Sequence, residues 1–249
     1  MPLHTDFSGS TIEELVRQDA TRAALLHFLG IPFYEFPDST LDEACDRKGL
    51  RTEIVIRELT RGPRLMHPEE NVIIDWPAEL IIGCLRHAHS MFTRERLPYI
   101  GELIRNCNVQ SSVVNDLNIL FPVFAEDFVH HIHLEEDRLF ILIGLLQRAL
   151  QGKMKPVEIH YILEADSIHQ YVKEHESHDD EMEGIRNITS DYTLPADAPL
   201  HLEVLYAHLQ QLEEELRTHA RIENGILFPK AAALEEKVRQ QLNELARLN

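Results

Sequence analysis

Residues 131–140 (HIHLEEDRLF) and 219–228 (HARIENGILF) both read H-x-x-x-E-x-x-x-L-F. Each pair interrupts an apolar stripe. Phe124, Phe128, His131, Glu135 and Leu139 follow steps of 4, 3, 4 and 4, and Leu212, Leu216, His219, Glu223 and Leu227 follow the same steps. Residues so spaced share one helix face. The chain must therefore build long helices whose core-facing side carries a histidine and a carboxylate, twice. A carboxylate placed inside a core is costly unless it is paired or bound to a cation. Imidazole and carboxylate together are a common ligand set for a divalent metal such as iron or zinc.

The rest of the chain supplies helices to complete such a site. Helical periods run over roughly 77–107, 113–150, 156–190 and 199–222, the last continuing or restarting toward 245. Breaks fall at NCNVQSS, QGKMKP and TSDYTLPADAP, which are rich in helix-stopping residues. No stretch alternates like a strand. The fold class is all-α: an antiparallel four-helix bundle over 77–249, able to build a site from facing side chains. A small helical domain over 1–62 precedes it, joined by a proline-rich linker over 63–76. In the leading domain, Ser10 or Thr11 caps a helix running to about Leu29, with Gly30 as its stop. Thr40 opens a second helix, and TEIVIRELT forms a third.

Two His–Glu pairs give four ligands, too few to hold two metals well, so the other two bundle helices should contribute. Ile82, Leu85, His89 and Phe92 make one stripe, and Ile168, Tyr171, His175 and Met182 another. The bundle thus reads as two hairpins of one pattern, a lone histidine followed by H-x-x-x-E. The expected metal ligands are His89, His131, Glu135, His175, His219 and Glu223, with the two glutamates placed to bridge a pair of ions. His87 rivals His89, and His178 rivals His175 or joins it as an extra ligand. His130, His133, His160, His169, His201 and His208 are expected at the surface or in packing, and Glu136, Asp179 and Asp180 as solvated charges.

Other chemistries lack their motifs. There is no H-E-x-x-H, no E-x-x-H, no glycine-rich phosphate loop and no G-x-S-x-G. Twenty-four basic against 42 acidic residues leave a net charge of −18, a field that repels phosphate backbones and excludes a nucleic-acid partner. Three cysteines, Cys45, Cys84 and Cys107, form no C-x-x-C and no even framework, which points to a reducing cytoplasm. The opening MPLHTDFSGST does not read as a signal peptide, and no apolar run approaches a membrane span.

ELIIGCLRHAH, HIHLE, IHQYVKEH and HARIENGILFP, in that order, resemble the four ligand segments of the hemerythrin-like family, specifically its iron-centre repair di-iron proteins. The resemblance covers nearly the whole chain. It implies two non-haem iron ions, oxo- or hydroxo-bridged, on the six residues already named. It further implies action on NO, O₂ or peroxide, or supply of iron, in repair or protection of iron–sulfur proteins under nitrosative and oxidative stress. The partners implied are a small diatomic ligand or peroxide and damaged iron–sulfur proteins, and a dimer is compatible with this. The alternative is a hemerythrin-like protein that binds or senses O₂, NO or iron without turnover; a third reading is a bundle held by structural zinc. Two departures stand out. GIPFYEFPDSTLDEAC places Tyr34 and Glu35 where the family carries two cysteines. The interval from His89 to Leu97–Pro98 also runs about one residue longer than the family pattern.

Overall fold

Two threonines organise the leading helices of the chain. In the computed structural model, which describes residues 7–61, 70–176 and 182–247, Thr11 and Thr40 each cap a helix with the same reciprocal device. The Thr11 hydroxyl accepts from the Glu14 amide at 3.2 Å while Glu14 accepts from the Thr11 amide at 3.0 Å. Thr40 and Glu43 repeat this at 3.2 and 3.1 Å. The resulting helices are α1 (Ile12–Gln18) and, after α2 (Arg22–Phe28), α3 (Leu41–Lys48); α4 (Thr52–Arg61) follows. The two capped starts are tied by backbone bonds from the Ile12 amide to the Ser39 carbonyl and from the Leu41 amide to the Ser10 carbonyl. Gly30 and Gly49 hold φ of +75° and +67°, left-handed values that end α2 and α3 without a Cβ penalty.

The single helix expected from Thr11 to Leu29 is instead two. Asp19 takes both the amide and the hydroxyl of Thr21, at 3.0 and 2.6 Å, so a side chain satisfies a donor that helix would otherwise use.

Beyond these come a four-residue turn α5 (Glu70–Ile73), then α6 (Ala78–Met91), α7 (Leu97–Arg105), α8 (Ser112–Leu134), α9 (Phe140–Leu150), α10 (Pro156–Ala165), α11 (Ile168–Glu176), α12 (Glu183–Ile188), α13 (Leu200–Ile222) and α14 (Phe228–Arg247). The fold is an all-α helical bundle with no strand among the described residues. No helix among them is long and apolar enough to cross a membrane.

The chain forms two compact units. One comprises Met1–Leu65, Glu95–Pro122 and Gly184–Glu213; the other comprises Met66–Arg94, Val123–Glu183 and Glu214–Asn249. In the first, Ile12, Leu15, Leu26, Ile31, Leu41, Tyr99, Ile100 and Leu103 are fully or almost fully buried. After α12 its backbone makes a left-handed turn at Ser190, Asp191 and Tyr192, with φ between 50° and 56°. Three consecutive non-glycine residues in that region are strained. Buried Glu213 holds the turn by accepting from the Tyr192 hydroxyl, and it also accepts from Arg186 Nη1 at 2.6 Å.

The second unit has its own core, in which Ile81, Leu85, Leu139, Phe140, Ile143, Leu146, Ile159, Leu163, Ile222, Leu227 and Ala231 interlock. Here α14 packs against α9 and α11, and α6 packs against α9. The third long helix, expected over 156–190, is interrupted at Asp166 and Ser167. Side chains of α14 explain the break. Glu235 accepts from the Ile168 amide at 2.7 Å, and Arg239 donates to the Leu163 carbonyl at 3.2 Å. The end of α10 and the start of α11 are thus capped from another helix, and the four orphan groups each end carries need not be met by continuing the helix.

Candidate metal centre

The two H-x-x-x-E copies share more than side chains. In each, the glutamate begins a π-helical turn, Glu135–Leu139 and Glu223–Leu227. The Phe140 amide bonds the Glu135 carbonyl and the Phe228 amide bonds the Glu223 carbonyl, five residues back instead of four. A third such turn, Phe92–Arg96, follows His89. It lies in the interval between His89 and Leu97–Pro98. Pro98 supplies a cause there, because it lacks the amide that would close an α-helical bond to residue 94. Single π turns inside α-helices concentrate at functional sites.

Four of the six expected ligands converge in the second unit. His89 on α6, Glu135, His219 at the end of α13, and Glu223 are buried, and one ligand atom from each lies within 4.8 Å of all the others. His89 Nε2 faces His219 Nε2 at 3.0 Å and Glu135 Oε2 at 3.3 Å, and His219 Nε2 faces Glu223 Oε1 at 3.0 Å. Donors bound about 2.1 Å from one ion stand roughly 3.0 Å apart at right angles and about 3.4 Å apart in a tetrahedron. The observed edges have those lengths. Two imidazole nitrogens directed at each other beside two carboxylates also suit a shared positive centre, which a metal ion would supply. The donor set therefore fits a metal.

The fifth residue, His131, is half-buried, with Nε2 3.2 Å from Glu135 Oε1. Glu135 thus turns one oxygen to His89 and the other to His131. The His175 side chain and all of His178 lie outside the described residues. Between the rivals on α6 the choice is plain: His87 is exposed and His89 is 2% exposed. His130, His133, His160 and His169 are exposed, as expected. His201 and His208 serve packing: their Nε2 atoms bond the carbonyls of Leu103 and Ala20 at 2.9 and 3.1 Å.

Aromatic rings wall the group. Phe140 stacks on His89 at 5.8 Å and 7°, and Phe92 meets His219 edge-on at 5.6 Å. Phe128 contacts Phe92 at 5.3 Å and lies parallel to His131 at 6.3 Å. Burial by itself lowers the His89 pKa. Hydrogen bonding to Glu135, the charges of Glu135 and Glu223, and the bond to Glu136 outweigh it and raise the value. One sequence expectation is corrected here: Glu136 is not a solvated charge but half-buried, its Oε1 2.8 Å from His89 Nδ1. Its position one residue after a stripe glutamate gave no periodic signal.

In the first unit, Tyr34 and Glu35 have different surroundings. Tyr34 stacks on His201 at 5.1 Å and 17° and accepts from Asn106 Nδ2 at 3.4 Å, while Glu35 is exposed. Burial pushes the thiols of Cys45, Cys84 and Cys107 up, away from the reactive thiolate.

Comparison with characterised proteins agrees with the segment pattern. No family model matches the chain. The iron–sulfur cluster repair protein ScdA of Staphylococcus haemolyticus is 23% identical over 226 residues, 89% of this chain and 97% of that protein. The chain is a relative of the iron–sulfur cluster repair proteins. The repair protein YtfE of Enterobacter sp. (strain 638) is 26% identical over 92% of this chain and 99% of its own length. YtfE of Escherichia coli O8 is 27% identical over 79% of this chain and 84% of its own.

Proposed function

We propose that this chain is a di-iron protein acting in the repair or protection of iron–sulfur proteins under nitrosative and oxidative stress. The observation that carries the reading is Glu135. Buried, and with its two oxygens directed at two different histidines, it is arranged as a carboxylate bridging two ions. In this reading His89, His131, His175 and His219 would hold the iron pair together with Glu135 and Glu223. An iron pair held there would supply open coordination positions and electrons for NO, O₂ or peroxide. Phe92, Phe128 and Phe140 exclude water and leave the site to small, weakly polar ligands. Imidazole ligands limit the site's negative charge, so it can hold both ferrous and ferric ions. The partners are then the diatomic ligand or peroxide and a damaged iron–sulfur protein, and the setting is the cytoplasm.

The second reading, a protein that binds NO, O₂ or iron without turnover, is favoured by the leading region, whose Tyr34–Glu35 pair offers no thiol. Residues 1–62 then serve structure or docking. Anaerobic addition of NO to the ferrous protein divides the two. Release of N₂O over successive turnovers supports an activity. A stable nitrosyl spectrum with no N₂O supports binding alone, and failure to take up iron removes both.

A further inference from the structure

His89 presents its two ring nitrogens to different groups. Nε2 faces the cluster of Glu135 and His219, whereas Nδ1 lies 2.8 Å from Glu136 Oε1. An ionised carboxylate can only accept, so Nδ1 must carry the hydrogen and donate it. Glu135 and Glu136 are adjacent in the chain yet grip opposite edges of one imidazole. Phe140, stacked at 7° to the ring, fixes its plane. The device belongs to one half of the repeat, because the position after Glu223 is Asn224, which carries no charge.

We propose that Glu136 is the positioning residue for His89. It holds the imidazole with hydrogen on Nδ1, so that the Nε2 lone pair is directed at the ion, and it raises the ring's basicity as a ligand. This inference rests on the metal reading of the centre. Hydrogen-bond partners behind a ligating histidine set both its tautomer and its affinity, and their loss weakens binding about 10- to 100-fold. Glu136 reaches the buried ring while a third of its side chain is exposed, so removing it opens no large cavity.

The test uses the full chain: wild type, Glu136→Ala, Glu136→Gln and His89→Ala, each titrated anaerobically with Fe(II). Histidine ¹⁵N spectra of the metal-free proteins read the tautomer. The expected result is Fe(II) binding about 10- to 100-fold weaker in Glu136→Ala. Glu136→Gln should be intermediate, because its amide oxygen still accepts. The Nδ1–H signature of His89 should be lost in the alanine variant, with unchanged metal-free melting. Wild-type affinity in Glu136→Ala, beside lost binding in His89→Ala, overturns the proposal and leaves the metal centre intact. If wild type binds no iron, the metal reading fails and the ¹⁵N spectra decide the role of Glu136. An Nδ1–H tautomer lost in Glu136→Ala then supports it, and an unchanged tautomer overturns it.

Discussion

Glu223→Gln separates a metal ligand from a structural ion-pair partner, because the two roles predict different effects with and without metal. Glu223 is 1% exposed and its ligand oxygen lies no more than 4.8 Å from that of Glu135. At an effective dielectric near 20, two such charges 4.8 Å apart repel by about 3.5 kcal/mol. Neutralising one removes that repulsion, which offsets the loss of Glu223 Oε1 as a charged partner of His219 Nε2. Metal-free stability should therefore change by no more than about 1 kcal/mol. With metal the effect is larger. A ligand present at 100 times its dissociation constant stabilises by about 2.7 kcal/mol, and a hundredfold weaker site loses most of that. For a chain of this size the loss lowers the melting temperature by roughly 5–10 °C. Calorimetry of the metal-free and Fe(II)-loaded forms, kept anaerobic, reads both quantities. A variant that loses about 3 kcal/mol without metal, yet gains as much from iron as wild type does, would refute the ligand assignment.

Three further outcomes follow. His87→Ala should leave Fe(II) binding within about twofold of wild type while His89→Ala reduces it at least a hundredfold, and equal losses would misplace the site on α6. Burial first, with the charge of Arg96, lowers the pKa of His208 to about 4. A histidine with a depressed folded value adds stability that is fully present above about 6.5 and is lost as pH falls toward 4, here up to roughly 3 kcal/mol. Denaturant titrations should show that slope in wild type and a flatter one in His208→Met. Arg186→Met removes the 2.6 Å ion pair to buried Glu213 beside the left-handed turn and should cost about 3–5 kcal/mol in urea unfolding; a change below about 1 kcal/mol would show that the turn does not depend on that pair.

Much of the fold was legible because it is local. Thr11 with Glu14 and Thr40 with Glu43 are cap signals complete within four residues, and the 4-3-4-4 stripes follow from helix geometry alone. The stripes also singled out His89, Glu135, His219 and Glu223, since a polar residue inside an apolar period is visible without a structure. What was not legible depends on long-range partners. The interruption at Asp166 and Ser167 is met by Glu235 and Arg239, about 70 residues away in sequence. Glu136 acts through His89, 47 residues earlier, from a position that periodicity assigns to solvent. Asp19 lies between the two, a local signal whose hydrogen bonds to Thr21 outweigh the run of apolar residues on either side. The π turns at Glu135 and Glu223 left no compositional mark at all. They show only in the backbone, where the repeat proves to be one of main-chain geometry as well as of side chains.

The central claim is that the duplicated pattern holds two ions on the shared carboxylates Glu135 and Glu223. Iron counted per chain after anaerobic reconstitution, together with the absorption spectrum on controlled oxidation, tests it most directly. The account predicts two irons per chain with an oxo-bridge band, falling to one or none in Glu135→Ala. A single colourless zinc, or two irons retained in that variant, would contradict it.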